Sequence, residues 1–249
     1  MDSDTTTITI PGEDPTAIEL VTAIRAGDID VVTRLLEEKP GLAGARLVAK
    51  DGGTRTPLHV VADWPGYFPN GPQIVRELLD AAADPNAGTT GRRPWSETPL
   101  HWAASSDDAD VAAALIDGGA DLDTPNGSIG TPLDNAIGYA CWHVARLLVA
   151  RGATVDKLWH AAALGLLDRT EELIAAGDRD QISQAFWHAC AGGQRRAAEY
   201  LLAHGADLNW EPDYAKGTPL DAAGSLGTRQ ENVLTWLREL GAASTNQPG

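Results

Sequence analysis

The sequence predicts an all-α fold built from about seven stacked helix-turn-helix repeats, and three observations support this prediction. A tetrapeptide, Thr-Pro-Leu followed by His or Asp, occurs at Thr56, Thr98, Thr131 and Thr218. Each copy opens a pattern of two amphipathic helices, and the pattern recurs at intervals of about 33 residues. Glycines mark the turns where these helices end. Such a period indicates an array of similar repeats rather than one closed core.

The tetrapeptide has a physical role at the start of the first helix of a repeat. The threonine hydroxyl can accept a hydrogen bond from a free backbone N–H of the first turn. Proline suits the first helical position, because its missing N–H would have no intrahelical partner there. Paired alanines such as Ala103-Ala104 keep this helix thin. The second helix carries apolar side chains at helical spacing, for example Val144, Leu147 and Leu148.

These motifs resemble the ankyrin repeat family. Glycine positions add less regular copies, so that the repeats open at residues 18, 56, 98, 131, 156, 184 and 218. The resemblance covers residues 18–243 and implies a helix-turn-helix solenoid with projecting hairpin fingers. It also implies that His59 and His101, at the motif position, are structural. Most members of the family act by binding.

The predicted domain organisation is simple. We expect one ankyrin-repeat domain at residues 18–243, because a continuous array needs no internal boundary. Residues 1–17 are polar and threonine-rich, which predicts a flexible polar leader without the apolar core of a secretory signal. Residues 244–249 are predicted to form a polar tail. No apolar stretch approaches the length of a membrane span.

Charge and cysteine content limit the function classes. The chain has 19 basic and 35 acidic side chains, a formal charge of −16. An acidic surface repels phosphate backbones, so we expect no nucleic-acid partner, although solubility alone also explains the charge. Cys141 and Cys190 fall in different repeats, which favours reduced thiols and a cytoplasmic location. No ligand spacing supports a metal, and we expect no cofactor and no membrane partner.

Two hairpin fingers are predicted to be truncated. A standard repeat has about twelve residues between its last glycine and the next opening threonine. Here Gly152 is followed by an opening position only four residues later, and Gly177 by one seven residues later. The shortened fingers should leave part of the concave face open to a partner.

Aromatic and histidine side chains concentrate on this predicted face. Eight tryptophans against two phenylalanines are unusual for a helical stack, and tryptophan suits contact surfaces because it joins a large apolar face to one N–H donor. Both repeats with truncated fingers carry Trp-His in place of the motif histidine. The candidate binding residues are Trp64, Trp95, Trp102, Tyr139, Trp159, His160, Trp187, His188, Trp210, Asp213 and Tyr214.

Structural roles are the alternative for several of these residues. Trp159 and Trp187 could replace the usual histidine by packing, and His160 and His188 could form structural hydrogen bonds. An insertion of about five residues at positions 63–71 adds three aromatic rings between two helices. This loop either closes one end of the cleft or packs as a plug on the next repeat.

Three function classes fit the predicted surface. The first is a non-catalytic module that grips a protein or peptide along the concave face. The second is a pocket for a small aromatic or apolar molecule, caged by Trp102, Tyr139, His160 and His188. The third is an enzyme with His160 or His188 as general base and Asp213 or Asp63 as orienting carboxylate. The sequence carries no established catalytic motif, and it therefore favours the binding module.

Overall fold

The computed structural model describes residues 8–91, 93–225 and 230–245. The chain forms two compact units, Met1–Ala153 and Thr154–Gly249, and each is described by itself. Within the described residues no helix is both long and apolar enough to cross a membrane. The single domain at residues 18–243 stays a prediction.

The first unit contains four helix pairs among its described residues. They are α1 Pro15–Ala26 with α2 Ile29–Glu38, α3 Pro57–Val61 with α4 Gly71–Asp80, α5 Pro99–Ser106 with α6 Ala109–Asp117, and α7 Pro132–Gly138 with α8 Trp142–Ala150. The first helices pack in the order α1, α3, α5, α7, and the second helices in the order α2, α4, α6, α8. Each pair therefore buries its apolar stripe against its neighbours, as repeat stacking requires.

A small sheet lies at the start of the first unit. Strand β1 Thr9–Pro11 runs parallel to β2 Arg46–Val48, which runs antiparallel to β3 Thr54–Arg55. A bridge between Thr54 and Thr90 connects the first hairpin to the second. These two hairpins are the fingers that the repeat pattern implies.

Part of the predicted polar leader forms regular secondary structure. Residues 9–11 form β1, and α1 begins at Pro15. Asp14 caps this helix by accepting a hydrogen bond from the Thr16 backbone N–H at 2.8 Å. The sequence Asp14-Pro15 is a standard helix start, so the first repeat begins three residues earlier than expected. Residues 1–7 lie outside the described residues.

The second unit contains three helix pairs among its described residues. They are α9 Leu158–Leu164 with α10 Leu167–Ile174, α11 Arg179–Ala191 with α12 Arg195–Ala203, and α13 Pro219–Ala223 with α14 Glu231–Glu239. Helix α11 packs against both α9 and α13. Phe186, Leu201 and Leu237 are buried in the core between these helices.

The link between α10 and α11 has no hairpin, as the short spacing predicts. The helix that contains the predicted opening position, residue 184, begins five residues before it, because α11 starts at Arg179. Asp178 and Gln181 form a capping box, in which the side-chain oxygen of each residue accepts a hydrogen bond from the backbone N–H of the other. The helix therefore starts immediately after Gly177, where a longer finger would otherwise project.

The motif residues connect successive repeats of the first unit. The Thr56 backbone N–H donates to His59 Nδ1 at 3.1 Å, and His59 Nε2 lies 2.9 Å from the Glu97 carbonyl oxygen. His101 repeats this arrangement with the Gly130 carbonyl at 3.0 Å. Burial lowers the pKa of His59 to about 4. Both histidines are thus neutral, buried scaffold residues, as their motif position implies.

The predicted polar tail is hydrogen-bonded where the structure describes it. Ser244 Oγ donates to Asp221 Oδ1 at 2.5 Å, and the Thr245 backbone N–H donates to Asp221 Oδ2 at 3.0 Å. Partial burial alone would raise the pKa of Asp221, but these hydrogen bonds outweigh it and lower the pKa to about 2. Residues 246–249 lie outside the described residues.

Candidate binding surfaces

The first unit contains a cavity of about 450 Å³ between its first two hairpins, which we name the first-unit cavity. Trp95 and Trp102 line it, and both are half-buried. The other lining residues are Ala49, Asp51, Gly53, Thr54, Arg55, Thr89, Thr90, Gly91, Arg93 and Glu97. Two of the predicted binding residues therefore share one concave site.

Trp102 is held in a fixed orientation in this cavity. Its indole Nε1 donates to Glu97 Oε2 at 3.1 Å, and its ring meets the buried His59 ring edge-on at 5.1 Å. The Arg55 guanidinium lies 6.0 Å from the indole centroid. A side chain ordered before binding loses less conformational entropy when a partner arrives.

Glu97 is a site residue that the sequence interpretation missed. Its Oε1 accepts from the Ser128 backbone N–H at 3.0 Å and from Asn135 Nδ2 at 3.1 Å. Partial burial alone would raise the pKa of Glu97, but these hydrogen bonds outweigh it and hold that pKa below its ordinary value. Its partners lie 31 and 38 residues away in sequence. A carboxylate directly before the motif threonine Thr98 was the available signal.

Basic side chains lie against the aromatic rings of the first unit. The Arg93 guanidinium is 5.3 Å from the Trp95 ring centroid. Arg55 donates to Asp63 Oδ2 at 3.1 Å, and Arg25 donates to the same oxygen at 2.9 Å. Asp63, considered above as a catalytic orienting group, instead forms ion pairs with both arginines.

The inserted aromatic loop at residues 63–71 is attached to the next repeat. The Tyr67 backbone N–H donates to Asp108 Oδ2 at 2.5 Å, and the Tyr67 hydroxyl donates to the Asp107 carbonyl. Gly66 has a φ of 78° and packs against Ser106, a conformation that favours glycine. Trp64 remains 76% exposed and Tyr67 59% exposed. The loop therefore packs on its neighbour while presenting an aromatic ring to solvent.

Tyr139 follows α7 and is 52% exposed. It does not line the first-unit cavity. The predicted cage took Trp102 and Tyr139 from the first unit and His160 and His188 from the second.

The two candidate histidines of the second unit, His160 and His188, are buried, contrary to the expected exposure. His160 is 1% exposed and His188 is 4% exposed. Their rings contact Trp159, with centroids 4.3 and 4.7 Å from its ring. The position after the motif lies between the closely packed helices α9 and α11, which explains why it is covered rather than open to a partner.

Trp187 takes over the bond that the motif histidine makes in other repeats. Its Nε1 donates to the Gly217 carbonyl at 3.0 Å, matching the link from His101 to Gly130. His188 Nε2 is 3.1 Å from the Tyr214 hydroxyl. Burial, together with the neighbouring His160, lowers the pKa of His188 to about 3. Trp187 therefore has a structural role in place of the motif histidine, which was the alternative to a role in binding.

The remaining predicted residues of the second unit lie nearer the surface. Tyr214 is 55% exposed, Asp213 is exposed, and Trp210 is half-buried. A cavity of about 360 Å³ is lined by Asp156, Lys157, Leu158, Trp159, Leu173, Ala176, Gly177, Gln181 and Gln184. The Lys157 ammonium lies 5.7 Å from the Trp159 ring centroid. This cavity adjoins the link from which the finger is missing.

Comparison with known proteins agrees with the helix-pair architecture. Residues 67–157 match the family model for ankyrin repeats, in three copies. These residues carry ankyrin repeats. The crystal structure of the ankyrin repeat domain of Bcl-3, described as a unique member of the IkappaB protein family, matches with a TM-score of 0.50 and 26% identity, covering 88% of this chain and 97% of that chain. The ankyrin resemblance is thereby confirmed.

A curated relative matches part of this ankyrin-repeat chain. Neurogenic locus notch homolog protein 4 of Homo sapiens is 37% identical over 114 residues. The match covers 42% of this chain and 6% of the human protein. The chain thus spans a small fraction of that relative.

Proposed function

We propose that this ankyrin-repeat chain is a non-catalytic binding module that recognises a protein or peptide partner. The observation that carries the proposal is the first-unit cavity, where Trp95 and Trp102 stand on a rigid scaffold beside open space of about 450 Å³. Aromatic side chains of this kind supply much of the energy at protein interfaces. Binding is also the usual role of the ankyrin-like proteins that the chain resembles.

The lining of the cavity suits a polypeptide. It combines two indole faces with arginine, carboxylate and threonine side chains and with the backbone of Gly53 and Gly91. An extended peptide offers both apolar side chains and backbone amides, so it can use each of these groups. The exposed ring of Trp64 provides a further apolar contact in the same unit.

The burial of the candidate bases favours binding over catalysis. A general base must reach the proton that it abstracts, but His160 and His188 are 1% and 4% exposed. The lowered pKa of His188 also makes it a weak base near neutral pH. The acid–base alternative therefore has little structural support.

A small-molecule site is the second candidate, because both cavities have suitable sizes. Ligand pockets commonly measure about 300–1,000 Å³, and the two cavities measure about 450 and 360 Å³. A tryptophan borders each of them. A fragment screen followed by intrinsic tryptophan fluorescence would identify such ligands directly.

The decisive experiment is selection of a displayed random peptide library against the whole folded chain. Enriched peptides are synthesised, labelled, and measured by fluorescence anisotropy. We expect Trp95→Ala to weaken binding by at least about tenfold, the loss typical of an aromatic anchor. Leu240→Ala is the matched control, because it removes an exposed apolar side chain in the second unit.

Two results would contradict the proposal. One is that no peptide sequence is enriched. The other is that the enriched peptides bind the Trp95→Ala and Trp102→Ala variants as tightly as the unaltered chain.

A further inference from the structure

The negative charge of the chain is unevenly distributed. Residues 46–102 contain six basic and six acidic side chains and are therefore neutral overall. The rest of the chain has 13 basic and 29 acidic side chains and carries the whole net charge of −16. The first-unit cavity lies within this neutral segment. At physiological salt the Debye length is about 8 Å, so distant acidic groups act weakly on a ligand there.

The cationic groups of the cavity have hydrogen-bonding capacity to spare. The Arg93 guanidinium lies over the Trp95 ring, 5.3 Å from its centroid. Within the described part of the chain this guanidinium makes no hydrogen bond or ion pair. Arg55 donates through Nη1 to Asp63. A guanidinium has five N–H donors, so both arginines can donate to a ligand.

The acidic groups of the cavity already accept hydrogen bonds from within the chain. Glu97 accepts hydrogen bonds from Trp102, Ser128 and Asn135. Asp51 Oδ1 accepts from the Gly53 backbone N–H at 3.0 Å within its own hairpin. The formal charges of the lining balance, but the donors that remain available are cationic.

We propose that the first-unit cavity binds an acidic segment of a partner polypeptide, with a carboxylate on Arg93 and an adjacent apolar side chain against Trp95 and Trp102. This inference rests on the proposed function and names the chemistry of the partner. A guanidinium forms two parallel hydrogen bonds with a carboxylate, and the Arg93 guanidinium lies over an indole ring that lines the same cavity.

A basic segment fits the same place less well. Each indole already has a cation over its ring, since the Arg93 guanidinium lies 5.3 Å from the Trp95 centroid and the Arg55 guanidinium 6.0 Å from the Trp102 centroid. A lysine or arginine of the partner would meet these like charges at close range. An acidic group meets two positive groups that lie over the indole rings.

The test uses three labelled peptides of equal length and identical sequence except at two positions. These positions flank a central phenylalanine and carry Glu, Gln or Lys. Fluorescence anisotropy with the whole chain should show that the Glu peptide binds about tenfold more tightly than the Lys peptide, a difference typical of one charge-assisted pair. Arg93→Gln should reduce this ratio to about twofold or less.

Matched variants separate the local contact from net charge. Arg76→Gln removes one exposed positive charge from α4, outside the cavity lining, and should leave the ratio unchanged. Asp51→Asn keeps the oxygen that accepts from Gly53 but removes a negative charge, and should tighten binding of the Glu peptide about two- to threefold. Arg93→Lys should retain part of the preference for the Glu peptide, because lysine keeps the positive charge but lacks the paired N–H donors of the guanidinium.

Three outcomes would overturn the inference. They are a Lys peptide that binds as tightly as the Glu peptide, equal effects of Arg93→Gln and Arg76→Gln, and no binding of any of the three peptides. If library selection then yields neutral or basic peptides that need Trp95, the proposed function stands and only the acidic chemistry fails. If the library yields nothing, the proposed function itself fails.

Discussion

Trp187→Phe isolates the hydrogen bond that connects two repeats of the second unit. The substitution removes the Nε1 donor that lies 3.0 Å from the Gly217 carbonyl, and Gly217 is buried. A buried acceptor left without its partner destabilises a fold by about 1–3 kcal/mol. The smaller ring also buries less apolar surface, by about 1 kcal/mol. We expect a total loss of about 2–4 kcal/mol in the free energy of unfolding.

Trp159→Phe is the matched control for this substitution. Trp159 occupies the equivalent motif position one repeat earlier and is also half-buried, and no described residue accepts a hydrogen bond from its indole N–H. This variant should therefore lose only the packing contribution of about 1 kcal/mol. The difference between the two variants measures the hydrogen bond.

Urea unfolding followed by far-UV circular dichroism provides the measurement, because that signal does not depend on tryptophan number. Equal losses for Trp187→Phe and Trp159→Phe would refute the assignment of Trp187 as the substitute for the motif histidine. Trp187→His offers a second check, since it restores a ring N–H at the position where His101 bonds Gly130.

The remaining predictions concern scaffold and titrating groups. His59→Ala should destabilise the first unit by about 3 kcal/mol or more, because the change removes a buried ring bonded to Thr56 and Glu97; a Tm scan measures this. The folded-state pKa of His188, about 3, lies below its unfolded value, so its contribution is present above about pH 6.5 and falls as the pH drops toward 3. His188→Gln should reduce the change in the urea midpoint between pH 7 and pH 5. Asp221 has a pKa lowered to about 2, so its contribution is lost as the pH falls from about 4 toward 2; acid titration of Asp221→Asn should lack that loss.

Helix starts were predictable where the signal is local. Thr131 and Thr218 both accept a hydrogen bond from the backbone N–H three residues later, as the capping motif predicts. The start of α11 was missed because a different local signal, the Asp178 capping box, operates before the expected opening. The early start of α1 was missed for the same reason at Asp14.

The site was less predictable because it depends on contacts between distant residues. His160 and His188 are buried because α9 packs closely on α11. Neither the motif nor the repeat spacing indicates how close two helices lie. The link from Glu97 to Asn135 joins two repeats. Two of the predicted aromatic residues, Trp95 and Trp102, line the first-unit cavity, but residue type alone could not show that Glu97 orients Trp102.

One position in the motif repeats connects neighbouring repeats through its backbone, whatever its side chain is. The residue directly before the motif threonine is Glu97, Gly130 or Gly217, and its backbone carbonyl accepts an N–H from the motif residue of the preceding repeat in all three cases. Because the backbone alone makes this bond, it forms both with a side chain at this position, as at Glu97, and with glycine. At Gly130 and Gly217 a side chain is disfavoured, because φ is positive and an added Cβ would lie 2.2 Å from Asp134 and 2.7 Å from Asp221.

In the first two motif repeats a side chain at this position helps to build the cavity. Arg55 and Glu97 occupy the equivalent position in successive repeats, and both reach the same ring: the Arg55 guanidinium lies near the face of Trp102, while Glu97 accepts from its indole N–H. A cation at the face and an anion at the N–H edge match the charge distribution of an indole. Where glycine stands instead, as at Gly130 and Gly217, the backbone link persists but no side chain can orient a neighbouring ring. The same repeat geometry therefore yields a bare scaffold contact in one place and an ordered aromatic binding surface in another.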